Sequence, residues 1–368
     1  NPEQTTSYID EHPAQRTKTS REIIIENINL ISASHWIIHG LTFRGCSQTS
    51  NRGNVGGASN RISANSNYNV INKCLFEEVA KKGTLRIHQS HYNTIQNCVI
   101  RNALPNINAD NIGVGVKGGN DNAIGNRIVN NEIYNCTDGV QLIYNKNTKT
   151  NGFASGTIIV NNDIYLTSKM YRNTANGQLA CAENAIDIKV GGRYDKADEY
   201  VRVLNNRMWG FRFTDTSCGG SGSNGKVIST HIKANYIYLK DNIIFDCNDG
   251  MHLTSDIANP KIFVENNVLS NIHNYTNHEK KSCAFRLGVN VNLIGNTIEN
   301  VDYAIVCNSK NIDNIVLQRN IIAKVKFENR IPKRVLFQEE GNQWYSVSRN
   351  PTLKISSYVG KWTKIKQF

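Results

Sequence analysis

The heptapeptide RIVNNEI, at residues 127–133, returns in similar form along most of the chain. The other copies are VINKCLF (70–76), TIQNCVI (94–100), IIVNNDI (158–164), RVLNNRM (202–208), YLKDNII (238–244), FVENNVL (263–269), NLIGNTI (292–298) and VLQRNII (316–322). With one Asn of each copy as a marker, positions 97, 131, 162, 206, 242, 267, 296 and 320 are separated by 34, 31, 44, 36, 25, 29 and 24 residues. A repeat of this length indicates a solenoid, in which the longer spacings are loop insertions.

Each copy is followed by a second alternating run, such as GVQLIY (139–144) or AIDIKV (185–190). Alternation with period two predicts strands, and Asn at the bend between two runs tolerates the left-handed conformation while it bonds its neighbours above and below. Asn (53 of 368 residues) and Gly (27) are poor helix formers. We therefore predict an all-β fold, a single-stranded right-handed parallel β-helix (solenoid) with loop insertions and a C-terminal capping tail. A β-propeller fits less well, because it needs four strands and about 40 residues per unit.

The repeat also predicts the domain organisation. We expect an N-terminal lead-in at residues 1–20, the β-helix domain at 21–325, and a tail at 326–368 that covers the end of the solenoid. The predicted core contains Ile128, Ile133, Val140, Ile159, Ile164, Ile186, Ile188, Val203, Ile243, Leu253, Val264, Leu287 and Ile298. No apolar run approaches the roughly 18 residues of a membrane span, so we expect no membrane insertion. The chain starts at Asn1, from which we expect a processed form and a secreted, periplasmic or surface-associated protein.

The charge balance indicates a polyanionic partner. Lys and Arg outnumber Asp and Glu by 42 to 30, which gives a formal net charge of +12. Nucleic acid, an anionic lipid surface and an acidic polysaccharide are the classes that such a charge attracts. The chain has no long Lys/Arg run, no zinc-finger spacing and no RNA-binding aromatic signature, which disfavours nucleic acid. The predicted partner is an acidic polysaccharide.

Strand alternation predicts which side chains lie outside the solenoid. If Leu85 and Ile87 point inward, Arg86 and His88 point outward, and the same count places basic and polar residues outside on later coils. Equivalent outward positions stack into a continuous surface, so they predict a cationic groove. The predicted substrate-binding residues are Arg86, His88, Lys117, Gln141, Lys233 and Arg286.

A compact set of chemically active residues is predicted within this groove. The segment CAENAIDIKVGGR (181–193) carries Glu183 ahead of a strand, and Asp187 and Lys189 on its outer side. The later segment NNRMWGFRFTD (205–215) supplies Arg212, which we expect about 4.8 Å from Lys189, the spacing of neighbouring strands. His231 and His252 follow on the next coils.

As an architecture the chain resembles the pectate-lyase-like superfamily of right-handed β-helices. Within it, the segment ENAIDIK (183–189) and the later Arg resemble the chondroitinase B and alginate lyase group of polysaccharide lyases. The resemblance implies a calcium ion bound by Glu183 and Asp187, Lys189 as the base and Arg212 as its partner.

These observations predict a polysaccharide lyase that cleaves a uronic-acid-containing polymer by β-elimination. The reaction requires neutralisation of the carboxylate, a base for the C5 proton and a donor for the leaving oxygen. The predicted catalytic residues are Lys189, Arg212, His231 and His252. Three alternatives stay open: a C5-epimerase, a β-helix glycoside hydrolase, and a non-catalytic carbohydrate-binding or structural β-helix such as an adhesin or a virion fibre.

Overall fold

The computed structural model describes residues 24–25, 27–44, 58–78, 83–103, 112–118, 122–144, 153–167, 182–212, 225–275, 282–307, 309, 312–327 and 329–345. These residues form strands and no helix. In chain order the strands are β1 (Ile24–Ile25), β2 (Asn29–Ile31), β3 (Ile37–His39), β4 (Thr42–Arg44), β5 (Ala58–Ser63), β6 (Val70–Asn72), β7 (Leu75–Glu77), β8 (Gly83–His88), β9 (Thr94–Gln96), β10 (Val99–Arg101), β11 (Ile112–Lys117), β12 (Arg127–Val129), β13 (Glu132–Tyr134), β14 (Asp138–Ile143), β15 (Ile158–Val160), β16 (Asp163–Tyr165), β17 (Asn184–Val190), β18 (Val201–Leu204), β19 (Arg207–Trp209), β20 (Lys226–Lys233), β21 (Ile237–Lys240), β22 (Ile243–Cys247), β23 (Asp249–Leu253), β24 (Ile262–Glu265), β25 (Val268–Ile272), β26 (Cys283–Leu287), β27 (Val291–Ile294), β28 (Thr297–Cys307), β29 (Asn314–Gln318), β30 (Ile321–Phe327), β31 (Leu336–Glu340) and β32 (Gln343–Tyr345).

Parallel pairing sorts the strands into three lines that run along the molecule. Line A contains β1, β4, β7, β10, β13, β16, β19, β22, β25, β28, β30 and β32. Line B contains β2, β5, β8, β11, β14, β17, β20, β23 and β26 and joins line A at the long β28. Line C contains β3, β6, β9, β12, β15, β18, β21, β24, β27, β29 and β31. One strand from each line makes one coil, and the predicted right-handed parallel β-helix is confirmed.

The solenoid extends further than the sequence predicts. The strands β31 and β32 pair in parallel with β29 and β30, so the lines continue to Tyr345 and the predicted boundary at residue 325 is too early. The lead-in at 1–20 and the last part of the tail, 346–368, lie outside the described residues. Within the described part of the chain, no helix is long and apolar enough to cross a membrane.

At the turn between lines C and A, two adjacent residues have different roles: the first adopts a positive φ and the second bonds the next coil. Asn130, Asn161 and Asn205 adopt φ values of 55°, 57° and 54°, the left-handed region that Asn tolerates. The residue that follows each of them is a buried Asn that bonds the equivalent Asn of the next coil. Asn97, chosen as a marker from the sequence, is therefore the equivalent of Asn130 and not of Asn131, since its φ is 54° and the next residue is Cys98.

The buried ladder satisfies the polar groups at these turns. Asn206 donates from Nδ2 to the Ile159 carbonyl oxygen and to Asn242 Oδ1, both at 3.0 Å. Its own Oδ1 accepts from the backbone N–H and from Nδ2 of Asn162, at 3.0 and 2.9 Å. A buried amide with all its groups bonded stabilises the turn instead of costing free energy.

The inward side chains form the apolar core that the repeat predicts, with one exception. All the predicted core residues are buried except Ile243, which is 41% exposed. Ile243 pairs with Arg207 and Val268, and all three begin a line A strand directly after the turn, where the side chain points outward. The core position of that strand belongs to Ile244.

Candidate functional site

The outward face of line B carries a column of side chains in lateral register, which we call the Asp187 column. Neighbouring coils are about 4.8 Å apart along it. In order, the column contains Arg61, Arg86, Gly115, Gln141, Asp187, Ser229, His252 and Arg286. The structure places the predicted residues Arg86, Gln141, Asp187, His252 and Arg286 in this one column, over six coil steps.

A second column lies two residues further along the same strands, and we call it the Lys189 column. Ser63, His88, Lys117 and Ile143 are in register, and Lys189 follows on β17. On β20 a β-bulge interrupts the register, because Ile188 pairs with Thr230 but Val190 pairs with Lys233. His231 lies within this bulge, beside Lys189, and Lys233 lies one position beyond it. Bulges are common next to active sites, where they redirect a side chain.

Asp187 is the centre of the face. Its carboxylate accepts from His231 Nε2 at 2.7 Å and from Gln141 Nε2 at 3.0 Å, and it forms an ion pair with Lys189 Nζ at 3.0 Å. Burial by itself raises the pKa of Asp187, but the His231 hydrogen bond and the Lys189 charge outweigh burial and hold the pKa below its ordinary value. Asp187 is therefore a charged group that orients His231 and Lys189.

A second buried carboxylate, Asp138, was not predicted from the sequence. Gln141 Nε2 donates to Asp138 Oδ2 as well as to Asp187 Oδ2, each at 3.0 Å, and the backbone N–H and Nδ2 of Asn184 donate to Asp138 Oδ1. The available signal was the dipeptide Asp-Gly at the start of two alternating runs, at 138–139 and 249–250. Asp249 likewise begins a line B strand, and Arg286 donates to it from Nε and Nη2 at 2.9 Å.

His252 lies one coil beyond Ser229 and is neutral at ordinary pH. Burial, with the charges of Lys226, Arg286 and His231, lowers its pKa to about 3. Its Nδ1 is buried and has no hydrogen-bond partner among the described residues. The side chain as a whole is partly exposed, so a neutral imidazole here can bond a substrate hydroxyl through its other ring nitrogen, but it has no imidazolium proton to donate.

The cationic end of the face lies toward the N-terminus. Burial, with the charges of Lys117, Arg61 and Arg86, lowers the pKa of His88 to about 4. The pKa of Lys117 is also lowered, by burial and then by Arg86 and Arg61. Arg61, which was not predicted as a site residue, stands in register with Arg86 and completes this group.

Arg212 does not occupy the predicted place beside Lys189. The strands that flank β17 are β14 and β20, whereas Arg212 follows the line A strand β19. Its guanidinium donates to Asp246 from Nε at 2.9 Å and from Nη2 at 2.6 Å, and lies over the Tyr275 ring at 4.6 Å. The prediction treated residues 210–215 as a line B strand, but 210–212 are a connection at the corner after line A.

We expect the substitution Arg212→Ala to reduce stability slightly and to leave kcat/KM on the true substrate close to the wild-type value. The lost ion pair is partly exposed, so the expected cost is about 1 kcal/mol or less. Urea unfolding and steady-state kinetics measure the two effects, and Arg207→Ala, which removes another line A ion pair, is the matched control. Loss of turnover at unchanged stability would return Arg212 to the catalytic group.

The residues predicted to bind calcium have surroundings of a different kind. Calcium takes about six to eight oxygen ligands, whereas the oxygens of Asp187 are bonded to His231, Lys189 and Gln141. Glu183 is buried directly before β17. Among the described residues, no group of three or more His, Cys, Asp or Glu is arranged to hold a metal ion. Asp187 does not fit a calcium ligand, calcium stays a prediction of the resemblance, and no step below depends on it.

The sequence matches no protein-family model and no curated protein. Among solved structures, the chain is similar to an alginate lyase from Paenibacillus sp. str. FPU-7, with 14% identity over 86% of this chain and 89% of that chain and a TM-score of 0.44. It is also similar to the GH136 lacto-N-biosidase from Eubacterium ramulus, with 8% identity over 89% of this chain and 63% of that chain and a TM-score of 0.51. A third similarity is to the Streptococcus pneumoniae surface protein and adhesin PfbA, with 10% identity over 88% and 90% of the two chains and a TM-score of 0.46.

A similarity at 8% identity shows at most a shared fold. The lacto-N-biosidase similarity supports the parallel β-helix architecture. The narrower resemblance to the chondroitinase B and alginate lyase group stays a prediction.

Proposed function

We propose that this chain cleaves an acidic, uronic-acid-containing polysaccharide by β-elimination on the outward face of line B. The observation that carries the proposal is the contact set of Asp187, which holds an imidazole and an ammonium side by side on a largely basic face. A uronate substrate needs both groups, because its carboxylate must be neutralised before its C5 proton becomes acidic enough to be removed.

The contacts favour His231 over Lys189 as the base. A lysine has an ordinary pKa of about 10.4, and a carboxylate 3.0 Å away stabilises its charged form further, so the ammonium has no lone pair to accept a proton. A histidine has a much lower ordinary pKa of about 6.5, so an imidazole has a lone pair at neutral pH. Lys189 is therefore assigned to the substrate carboxylate. His231 bonds Asp187 through Nε2, which leaves Nδ1 for the substrate, and the carboxylate stabilises the imidazolium that forms.

The proposed reaction has two proton transfers. His231 takes the proton from C5, the electron pair forms the C4–C5 double bond, and the bond from C4 to the glycosidic oxygen breaks. The imidazolium of His231 then returns the proton to the leaving oxygen. His252, which is neutral, is assigned to a hydrogen bond with the bound sugar and not to proton donation.

A glycoside hydrolase is the second candidate, because Asp138 and Asp187 approach each other through Gln141. Hydrolysis needs one carboxylic acid that stays protonated to assist the leaving group. The pKa of Asp187 is shifted in the opposite direction, and Asp138 accepts hydrogen bonds from Asn184. These contacts favour elimination.

The test is an incubation with a panel of uronate polymers, monitored for both ultraviolet absorbance and new reducing ends. Elimination produces an unsaturated uronate, so we expect both signals to rise together. New reducing ends without the absorbance would identify a hydrolase, and C5 inversion without cleavage would identify an epimerase. Binding without either change would identify a non-catalytic binding protein. Each of these three results would overturn the proposal.

A further inference from the structure

We propose that Arg61, together with Arg86, His88 and Lys117, forms a subsite for an oxyanion substituent, a sulfate ester or a carboxylate, of a bound polysaccharide. The inference rests on the proposed function in one respect, that the polymer lies along the outward face of line B. The anion site itself can be tested without any cleavage.

The strand register brings the four side chains together. Arg61 lies beside Arg86 in the Asp187 column, and His88 lies beside Lys117 in the Lys189 column. The strands β5, β8 and β11 are consecutive in line B, so the group spans two coil steps, about 10 Å at the usual strand spacing. The long Arg and Lys side chains can converge on one anion over that span.

Arg61 carries the second observation. Its Nε is buried and has no hydrogen-bond partner among the described residues. A charged group with a buried, unpartnered donor costs free energy, and an anion bound to the exposed part of the same guanidinium would offset that cost. The planar guanidinium presents paired N–H donors that match the oxygens of a carboxylate or a sulfate.

The electrostatics agree with this assignment. His88 and Lys117 are both half-buried. Burial and the neighbouring cations disfavour the charged forms of both side chains and lower their pKa values. Crowding of this kind opposes the folded state, and a bound anion would relieve it.

The subsite is continuous with the reaction centre but separate from it. Gly115 follows Arg86 in the Asp187 column, and Arg86 Nε lies 3.6 Å from the position that a Cβ at residue 115 would take. Lys117 and Lys189 are two coil steps apart in the Lys189 column, again about 10 Å. The subsite therefore takes a substituent of a sugar other than the one that reacts.

The test compares Arg61→Gln with Arg127→Gln, which makes the same charge change at an exposed residue of line C. Inorganic sulfate is the first probe. Its binding is monitored through the imidazole NMR signals of His88, which are assigned by their loss in the His88→Gln variant. We expect sulfate to shift the His88 signals in wild type and in Arg127→Gln, and Arg61→Gln to weaken sulfate binding about tenfold, the loss expected for one charge-assisted hydrogen bond. Equal binding by Arg61→Gln and Arg127→Gln would overturn the proposal.

Polymers provide the second arm and distinguish the two substituents. If the group is a sulfate ester, Arg61→Gln raises KM about tenfold on a sulfated uronate polymer and leaves KM on an unsulfated one at the Arg127→Gln value. If the group is a carboxylate, KM rises on both polymers. An unchanged KM on both would overturn the subsite.

Failure of the subsite and failure of the lyase proposal give different results. A protein that cleaves no polymer but binds sulfate through Arg61 retains the subsite and loses the lyase function. If the Arg61→Gln and Arg127→Gln variants cleave uronate polymers equally well, the lyase function is retained and the subsite is lost. His231→Gln should bind sulfate as wild type does, since His231 lies outside this group.

Discussion

Replacement of His231 by Gln is expected to lower kcat on a uronate polymer by about 10²- to 10⁴-fold, the range that a positioned acid or base contributes. Glutamine keeps a polar side chain in the bulge of β20 but has no site that accepts a proton. His231 is partly exposed, with its side chain 35% accessible, so the fold should persist. Stopped assays of unsaturated product measure the loss, and binding of uncleaved polymer confirms that the groove is intact.

A second His–Asp contact provides a matched control for His231. His273 Nδ1 lies 3.1 Å from Asp302 Oδ1 at the end of the line A strand β25, away from the outward face of line B. His273→Gln removes the same kind of contact, and we expect it to retain wild-type kcat. An equal loss in both variants would mean that a His–Asp contact is needed for folding and not for proton transfer.

Two further variants separate the proposed roles around Asp187. Asp187→Asn should lose nearly as much turnover as His231→Gln, because the amide does not stabilise the imidazolium. Lys189→Gln should raise KM as well as lower kcat, because it removes a contact with the substrate carboxylate in both the ground state and the transition state. If Lys189→Gln abolishes turnover while His231→Gln retains it, Lys189 is the base and the assignment of roles is reversed.

The architecture was predictable because its cause is local and repeated. Every coil needs a short apolar strand, a residue that accepts positive φ and a group that bonds the next coil. The last two requirements recur in the sequence as the pair Asn-Asn, and the first recurs as the apolar residues that flank it. The division between the two Asn positions was less visible, because each residue alone satisfies the rule for a turn Asn. Only the stacking shows that Asn130 supplies the conformation and Asn131 the ladder.

For the site, strand alternation predicts only which side chains point outward. Alternation places Asp187, Lys189 and His252 outside, since period two holds within a strand. It does not show which strands are neighbours, because each coil contains three strands and insertions change the spacing between them. The Asp187–Gln141 contact joins residues 46 positions apart, and the misplacement of Arg212 has the same origin. The bulge that turns His231 toward Asp187 has no local sequence signal that we recognise.

Replacement of Asn206 by Leu is expected to destabilise the fold by about 1–3 kcal/mol, the cost of a buried backbone N–H that loses its partner. The backbone N–H of Asn162 would be left without a partner in the core, and the carbonyl oxygen of Ile159 would keep only its bond within the β15–β18 ladder. Urea unfolding, followed by the change in midpoint at constant slope, measures the loss. The neighbouring Asn205 is exposed with a φ of 54°, so Asn205→Gly should change stability by no more than about 0.5 kcal/mol.

The chain itself supplies a milder substitution for the same position. Cys98 holds the ladder place of its own coil, where its N–H donates to Asn131 Oδ1 and its Sγ lies 3.2 Å from the Gln96 carbonyl oxygen. Cys74 holds the place one coil earlier, and its N–H donates to Cys98 Sγ at 3.5 Å. Since a thiol is a weak donor and a weak acceptor, Asn206→Cys should fall between wild type and Asn206→Leu. Equal stability of wild type and Asn206→Leu would show that the apolar core alone maintains the stacking of the coils, and that the Asn ladder contributes nothing to it.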